Sequence, residues 1–263
     1  MPLGPTQVIE AARLLLNARG DFRRLRGFPE SCRPQDMDDA YLIQKAFAEE
    51  WELPVAGFKI GCTAREQQKM LGVSGPFYGR VFAPFLRASP TELSAGAFQM
   101  LGLEAEFAFR IKAAIKPRRA PYTRKEIEKK VGALHPAIEL VDSRLEDWIT
   151  QGPESIVADN GANGALVIGK PVREWRKHDL AKARVSLAVD GKKVGSGTGK
   201  KVLGHPLEAL TWLANALSAA GTALARDQIV TTGTVTGFNL TQAGSTARAD
   251  FGPLGEVEVT FTD

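Results

Sequence analysis

The sequence predicts an α+β protein with a large mixed β core (residues 55–263) and a smaller helical part at the N-terminal end (residues 1–54). Three observations predict it. Apolar segments after residue 54 are short, and most are joined by turns rather than by regular helices, which disfavours a doubly wound sheet. Before residue 54 the pattern is helical, with two amphipathic stretches and no alternating run between them. The 263 residues, 44% hydrophobic and 24% charged, suffice to bury a sizeable core.

In chain order, the first helix ends near Gly20, and Thr6 is its expected cap. A second helix, from about Asp36 to Trp51, carries Tyr41, Ile43, Ala46, Phe47 and Ala48 on its apolar side. "VAGFKIG" reads as a buried strand and places Lys59 inside it. "TAREQQKML" follows, where Thr63 and Glu66 have capping-box spacing. "RVFAPFL" and "GLEAEFAFRI" alternate as strands do. Thr123 and Glu126 repeat the capping-box pattern and open a short helix. "HPAIELVDSR" is a strand, "LEDWIT" a short helical stretch, and "GALVIG" a core strand. Asp190-Gly191 signals a hairpin within "ARVSLAVDGKKVGSGTG". "HPLEALTWLANALSAAG" is a long amphipathic helix stopped by Gly221, and three further strands with Gly turns close the chain.

The formal net charge of +4 is too small to argue for nucleic acid, and the densest basic run, "KPRRAPYTRKEIEKK", mixes in acids as a solvated surface does. Cys32 and Cys62 have no disulfide or zinc spacing and read as reduced thiols in a cytoplasmic protein. The N-terminal apolar stretch is interrupted by Glu10 and Arg13, so it reads as an amphipathic helix and not as a signal peptide or a membrane span.

The chemistry is concentrated in acids on strands. Residues two apart on a strand share a face and lie roughly 7 Å apart. Leu103, Ala105, Phe107, Phe109 and Ile111 therefore make one apolar face, with Glu104 and Glu106 together on the other. Two carboxylates so close repel, more strongly away from water. Either that face is solvated or something positive sits between them. Glu139 is a third acid inside an apolar strand, and Arg110 and Arg144 are the cations nearest in sequence. All-oxygen ligation would suit a hard divalent cation such as Mg²⁺ or Mn²⁺. No G-x-S-x-G and no nucleotide-binding glycine loop is present, and His135, His178 and His205 form no nucleophile–base pattern.

"GFKIGCT", "GLEAEFAF", "AIELVDSR", "VADNGANGALVIG" and "GKKVLGHPLEALTWLAN" occur in that order. This set resembles the hydratase/decarboxylase branch of the fumarylacetoacetate hydrolase superfamily over nearly the whole chain. The resemblance implies a mixed β-roll or sandwich, assembled as a homo-oligomer. It places the metal-binding acids on Glu104, Glu106 and Glu139, holding Mg²⁺ or Mn²⁺, and the active-site lysine on Lys59. It implies a lyase of aromatic meta-cleavage catabolism that hydrates a 2-hydroxypenta-2,4-dienoate-like (2-keto-4-pentenoate) acid to a 4-hydroxy-2-oxo acid. The alternatives are decarboxylation of a 4-oxalocrotonate-type 2-oxo acid and C–C hydrolysis of acylpyruvate or fumarylacetoacetate type. Hydrolysis generally needs an N-terminal histidine dyad, whereas the first histidine here is His135.

The chain departs from the branch at two places. Hydratases often carry an Asp in a "PDFG"-like segment after the "LGV" turn. Here the segment reads "LGVSGPFYGRVF", with Phe77 and Tyr78 at that place. Tyr78 could supply a replacement hydroxyl, and Phe77 could enlarge an apolar wall. The "DN-x-S-S" segment reads "DNGANG", in which Asn160 is expected to orient a loop near the site. Thr232, Gly233 and Thr234 are a further polar strand end suited to a substrate carboxylate. These departures keep open a third role, a subunit that supports an active decarboxylase or hydratase partner in a complex.

Overall fold

The computed structural model describes residues 2–263. The elements are α1 (Pro5–Gly20), α2 (Met37–Trp51), β1 (Val55–Gly61), α3 (Arg65–Leu71), β2 (Phe77–Phe82), β3 (Leu86–Ala88), β4 (Thr91–Ser94), β5 (Gly102–Ile111), α4 (Arg124–Glu128), β6 (Val131–Val141), α5 (Pro153–Ala158), β7 (Asn163–Ile168), β8 (Arg184–Val189), β9 (Lys192–Thr198), α6 (Pro206–Ala219), β10 (Ile229–Thr234), β11 (Asn239–Leu240), β12 (Thr246–Asp250) and β13 (Glu256–Thr262).

The strands form two mixed sheets. The larger runs β2-β1-β10-β5-β6-β7-β3, with β11 pairing to β5, and the smaller runs β4-β13-β12-β8-β9. The larger sheet rolls on itself. Val81 of β2 packs in one cluster with Leu166 and Ile168 of β7, although four strands separate β2 from β7 in the hydrogen-bonded order. Ala108, Ala137 and Ile229 complete this small inner core. The outer face packs Phe58, Leu103, Phe107 and Phe109 against Val185, Leu187, Val257 and Phe261 of the second sheet and against Leu207, Leu210 and Leu213 of α6. Helices α1 and α2 share a separate core with Phe77 and Phe82 of β2 and Ile156 and Val157 of α5. No helix among the described residues is long and apolar enough to cross a membrane.

Local chemistry explains where elements start and stop. Asp36 caps α2 by accepting from Asp39 N at 2.9 Å. Thr123 and Glu126 close a capping box at α4. Asp190 and Gly191 both take positive φ, at 50° and 76°, as the hairpin turn between β8 and β9 requires. Three expectations are corrected. Thr6 lies inside α1, which starts at Pro5 after Gly4, and Gln7 Oε1 accepts from Gly4 N. Thr63 does not cap α3; its hydroxyl is buried and unpartnered, and Ala64 holds the cap position. "RVFAPFL" is not one strand. Pro84 lacks the N–H a ladder needs, so β2 ends at Phe82 and the chain makes a short turn before β3.

Candidate metal centre and active site

Strands β5 and β6 pair antiparallel with Glu104 directly opposite Glu139 and Glu106 opposite Ala137. Alternation puts all three acids on the inner face of the roll. The solvated alternative is excluded, since Glu106 and Glu139 are 0% exposed and Glu104 is 8% exposed. One carboxylate oxygen from each lies within 4.8 Å of the others.

The positive neighbour within the protein is neither Arg110 nor Arg144. Arg110 reaches His135, and Arg144 is spent on Asp159, which it holds through Nε at 2.5 Å. Lys59 supplies the charge instead. Strand β1 reaches the roll beside β10, and Lys59 Nζ lies 3.3 Å from Glu139 Oε1 and donates to Gly161 O at 3.0 Å. Burial pulls the Lys59 ammonium towards neutrality, but Glu139, Glu104 and Glu106 together outweigh that pull and raise its pKa. Burial pushes Glu104 up to about 7, against the attraction of Lys59, with Glu139 adding to the rise. Burial, Glu139 and Glu104 likewise push Glu106 well above the usual carboxylate range.

Each of two acids has one oxygen committed and one free. Glu106 Oε2 accepts from Gly233 N at 2.7 Å, while Oε1 is buried without a partner. Glu139 Oε1 accepts from Asn163 Nδ2 at 3.0 Å as well as facing Lys59, while Oε2 has no partner. Orphaned buried carboxylate oxygens are costly unless a cation meets them. Three carboxylates against one ammonium leave a formal charge of −2 (−3 + 1), which a divalent ion would neutralise. The donor set is all oxygen, and its span suits a cation with ligands at roughly 2.1–2.6 Å.

The loop that receives Lys59 is built with care. Asn160, Gly161 and Ala162 have φ of 54°, 63° and 56°, a left-handed turn that is unfavourable for Ala162. It is fastened at both ends. Asn160 Nδ2 donates to Arg80 O at 2.8 Å, and its Oδ1 accepts from Arg80 N at 2.7 Å. Below, the fully buried Arg144 donates to the carbonyls of Asp142, Asp159 and Asn163. Gly79 permits the approach, because a Cβ there would stand 2.2 Å from Asn160 O.

A cavity of about 400 Å³ opens onto this cluster, bordered by Lys59, Glu104 and Gly161, with Phe77, Trp148 and Phe238 on its walls. Tyr78 is not there. It pairs opposite Ile60 and faces away from Lys59, stacked on Tyr41 at 4.5 Å between centroids. The expected replacement hydroxyl is thus on the wrong face, and Phe77 is the residue on the site side. Asn160 acts on the backbone of β2 and does not border the cavity. Thr232 and Gly233 serve Phe107 O and Glu106 rather than an open surface. Asn163 and Arg144 were not among the expected site residues. The polar run "DNGANG" ahead of an apolar strand was the available signal for Asn163. His205 caps α6, and His135 Nδ1 meets Gly169 O at 2.8 Å, so neither enters the site.

A rolled mixed sheet that buries an all-oxygen acid cluster beneath a small-molecule cavity defines a class of hard-cation, small-acid sites. Residues 65–262 match the fumarylacetoacetate (FAA) hydrolase C-terminal family, and the chain belongs to that family. It is 30% identical to the 2-keto-4-pentenoate hydratase of Burkholderia vietnamiensis (strain G4 / LMG 22486), covering 97% of this chain and 98% of that protein. It is 32% identical to the 2-hydroxyhexa-2,4-dienoate hydratase of Comamonas testosteroni, covering 95% of each. Among solved structures, the 4-oxalocrotonate decarboxylase of Pseudomonas putida G7, complexed with magnesium and adipate, superposes with a TM-score of 0.89 at 26% identity, over 98% of both chains.

Proposed function

We propose that this protein is a divalent-metal-dependent lyase that hydrates a 2-hydroxypenta-2,4-dienoate-like acid to a 4-hydroxy-2-oxo acid. The observation that carries the reading is the convergence of Glu104, Glu106 and Glu139, with unpartnered buried oxygens on Glu106 and Glu139, beside a cavity that Lys59 and Glu104 line. Glu104, Glu106 and Glu139 would hold Mg²⁺ or Mn²⁺. When bound, the ion supplies Lewis acidity for the negative charge that develops on the 2-oxo acid end of the substrate.

The chain's own groups do the rest. An ammonium has three N–H donors, and Lys59 spends them on Glu139 and Gly161 O with one remaining for a substrate oxygen. Asn163 keeps Glu139 oriented, and the Gly233 amide keeps Glu106 oriented. Phe77 and Trp148 exclude bulk water from the diene. Gln67 borders the same cavity with its Oε1 buried and unpartnered, and is the acceptor placed to orient the added water in place of the absent acid. Decarboxylation of a 4-oxalocrotonate-type acid is the second reading, favoured by the likeness to the P. putida decarboxylase. A homo-oligomer in the cytoplasm, alone or with a related decarboxylase or hydratase, is the assembly that fits either reading, and analytical ultracentrifugation would test it.

The test is a product assay on metal-stripped protein, given 2-hydroxypenta-2,4-dienoate or 4-oxalocrotonate, with and without Mg²⁺ or Mn²⁺. Metal-dependent loss of the diene absorbance with a mass gain of one water supports the hydratase. Loss of carbon dioxide supports the decarboxylase. Silence on both, with metal bound, overturns both.

A further inference from the structure

We propose that a second cavity, on the other side of β2 from the acid cluster, binds a small aromatic carboxylic acid through Arg80. Neither the metal nor the lyase reading is needed for it.

This cavity holds about 920 Å³ and is bordered by residues of α2, α6 and β2. Tyr41, Tyr78 and Trp212 supply an aromatic wall. The two tyrosine rings stack at 4.5 Å between centroids, and the Trp212 ring stands 6.5 Å from that of Tyr78. Alternation along β2 brings Tyr78 and Arg80 to this cavity, while Gly79 between them pairs with Lys59. Phe77, at the start of the strand, borders both cavities.

Arg80 is half-buried, and its guanidinium has no ion-pair partner among the described residues. It donates to Gln44 through Nη1 alone, to Oε1 at 2.6 Å and to the main-chain O at 3.4 Å. Gln44 is fully buried and is itself pinned, its Nε2 donating to Tyr78 O and Val157 O, each at 2.9 Å. The amide thus sets the guanidinium in place without neutralising it. Nε and Nη2 keep their N–H groups for an acceptor from outside the chain, and a carboxylate takes such a pair in two parallel bonds. Burial lowers the Arg80 pKa, with Tyr78, Glu49 and Tyr41 pulling the other way, as for a cation short of both water and a counter-ion. The remaining charges on the lining do not supply one. Asp38 is exposed, Glu154 makes no ion pair with a described residue, and Lys45 already meets Glu49 at 3.7 Å.

The walls suit a small molecule better than a protein. Among the described residues of the lining, Leu42, 49% exposed, is the one large apolar side chain open to solvent. A stable protein interface buries roughly 800 Å² on each side. A single ring against Trp212 and Leu42, with its carboxylate on Arg80, uses both features of the cavity.

The probe is 3-phenylpropanoate, with 3-phenylpropanamide as its uncharged counterpart, titrated by calorimetry into the whole chain in EDTA. The expected result is one-to-one binding of the acid, at least tenfold tighter than the amide. Arg80→Met should weaken the acid at least tenfold and the amide less than threefold. Arg80→Lys, which keeps the charge and loses the fork, should recover part of that loss. Tryptophan emission locates the probe: the change on binding should vanish in Trp212→Phe and persist in Trp148→Phe. Equal affinity for acid and amide overturns the proposal. So does an emission change lost in Trp148→Phe and kept in Trp212→Phe, which would put the probe in the acid-lined cavity. No binding, with a larger species in sedimentation that Arg80→Met disperses, would give the cavity to a second copy of the chain and overturn it too. Should Arg80→Met fail to fold, the acid–amide comparison and the two tryptophan variants still decide. Turnover of the dienoates enters none of these outcomes.

Discussion

Lys59 and Glu139 form a buried ion pair, Nζ to Oε1 at 3.3 Å, across strands that are not neighbours in the sheet. The roll brings them together: β1 and β6 are separated by β10 and β5, and their inner faces meet over the same space. Removing one partner of such a pair strands a charge away from water. Lys59→Met should destabilise the protein by about 3–5 kcal/mol at pH 8 in the presence of a chelator. It should also abolish turnover. Urea melts with EDTA and with Mg²⁺ would check this, and an unchanged midpoint in EDTA would contradict the pairing.

The free oxygens of Glu106 and Glu139 predict that their amides still fold and fail to bind. Glu106→Gln and Glu139→Gln should each lower Mg²⁺ or Mn²⁺ affinity by at least a hundredfold, with the far-ultraviolet circular dichroism retained. Full metal-dependent turnover in Glu106→Gln would refute the site. Asn163→Ala removes the donor that orients Glu139 and should cost about 10–100-fold in metal affinity.

Protonation gives a third prediction. Glu104 binds its proton more tightly in the folded, metal-free protein, at about 7 instead of 4.5, and Glu106 is raised as well. A raised acid contributes stability that is present below its unfolded pKa and lost as the pH rises through the folded one. Between pH 5 and pH 8 these groups therefore make the metal-free fold progressively less stable. Metal binding must release those protons, so the rise in melting temperature on adding Mg²⁺ should grow over the same interval. Melts at pH 5, 6, 7 and 8, with EDTA or Mg²⁺, measure it. A constant Mg²⁺ increment would be inconsistent with buried, proton-binding acids.

Gly79→Ala should cost about 1–3 kcal/mol and most of the activity, because the added carbon meets Asn160 O and displaces the loop that receives Lys59. Tyr78→Phe makes the contrasting case. Its ring stacks on Tyr41, away from the acids, so kcat/KM should change less than threefold. A loss of a hundredfold or more would return Tyr78 to the catalytic centre.

Legibility in the sequence followed the range of the interaction. The alternation from Gly102 to Ile111 identified β5 and the shared face of Glu104 and Glu106 at once. It did not reveal what that face meets, since a polar face looks the same beside water and inside a roll. The same limit applies to Phe77 and Tyr78. Adjacent strand residues point opposite ways, so one at most could reach the site, and the pairing of Lys59 with Gly79 selects Phe77. The cap assignments failed where a side chain had another position available: Thr63 has capping-box spacing with Glu66, yet its hydroxyl lies beside Gly233.

By itself the sequence determined most of the elements, the helical start of the chain, the hairpin at Asp190-Gly191 and the motif order that resembles the family. These depend on periodicity and on local backbone preference, which act over a few residues. The tertiary structure decided that Lys59, and neither Arg110 nor Arg144, faces the acids, that Asn163 and the Gly233 amide hold Glu139 and Glu106, and that Tyr78 faces away from them. Those outcomes depend on strand register and on the curl of the sheet, which join residues more than a hundred positions apart, such as Lys59 and Gly161 or Glu106 and Gly233. No local pattern encodes such a contact, because it exists only once the sheet has closed.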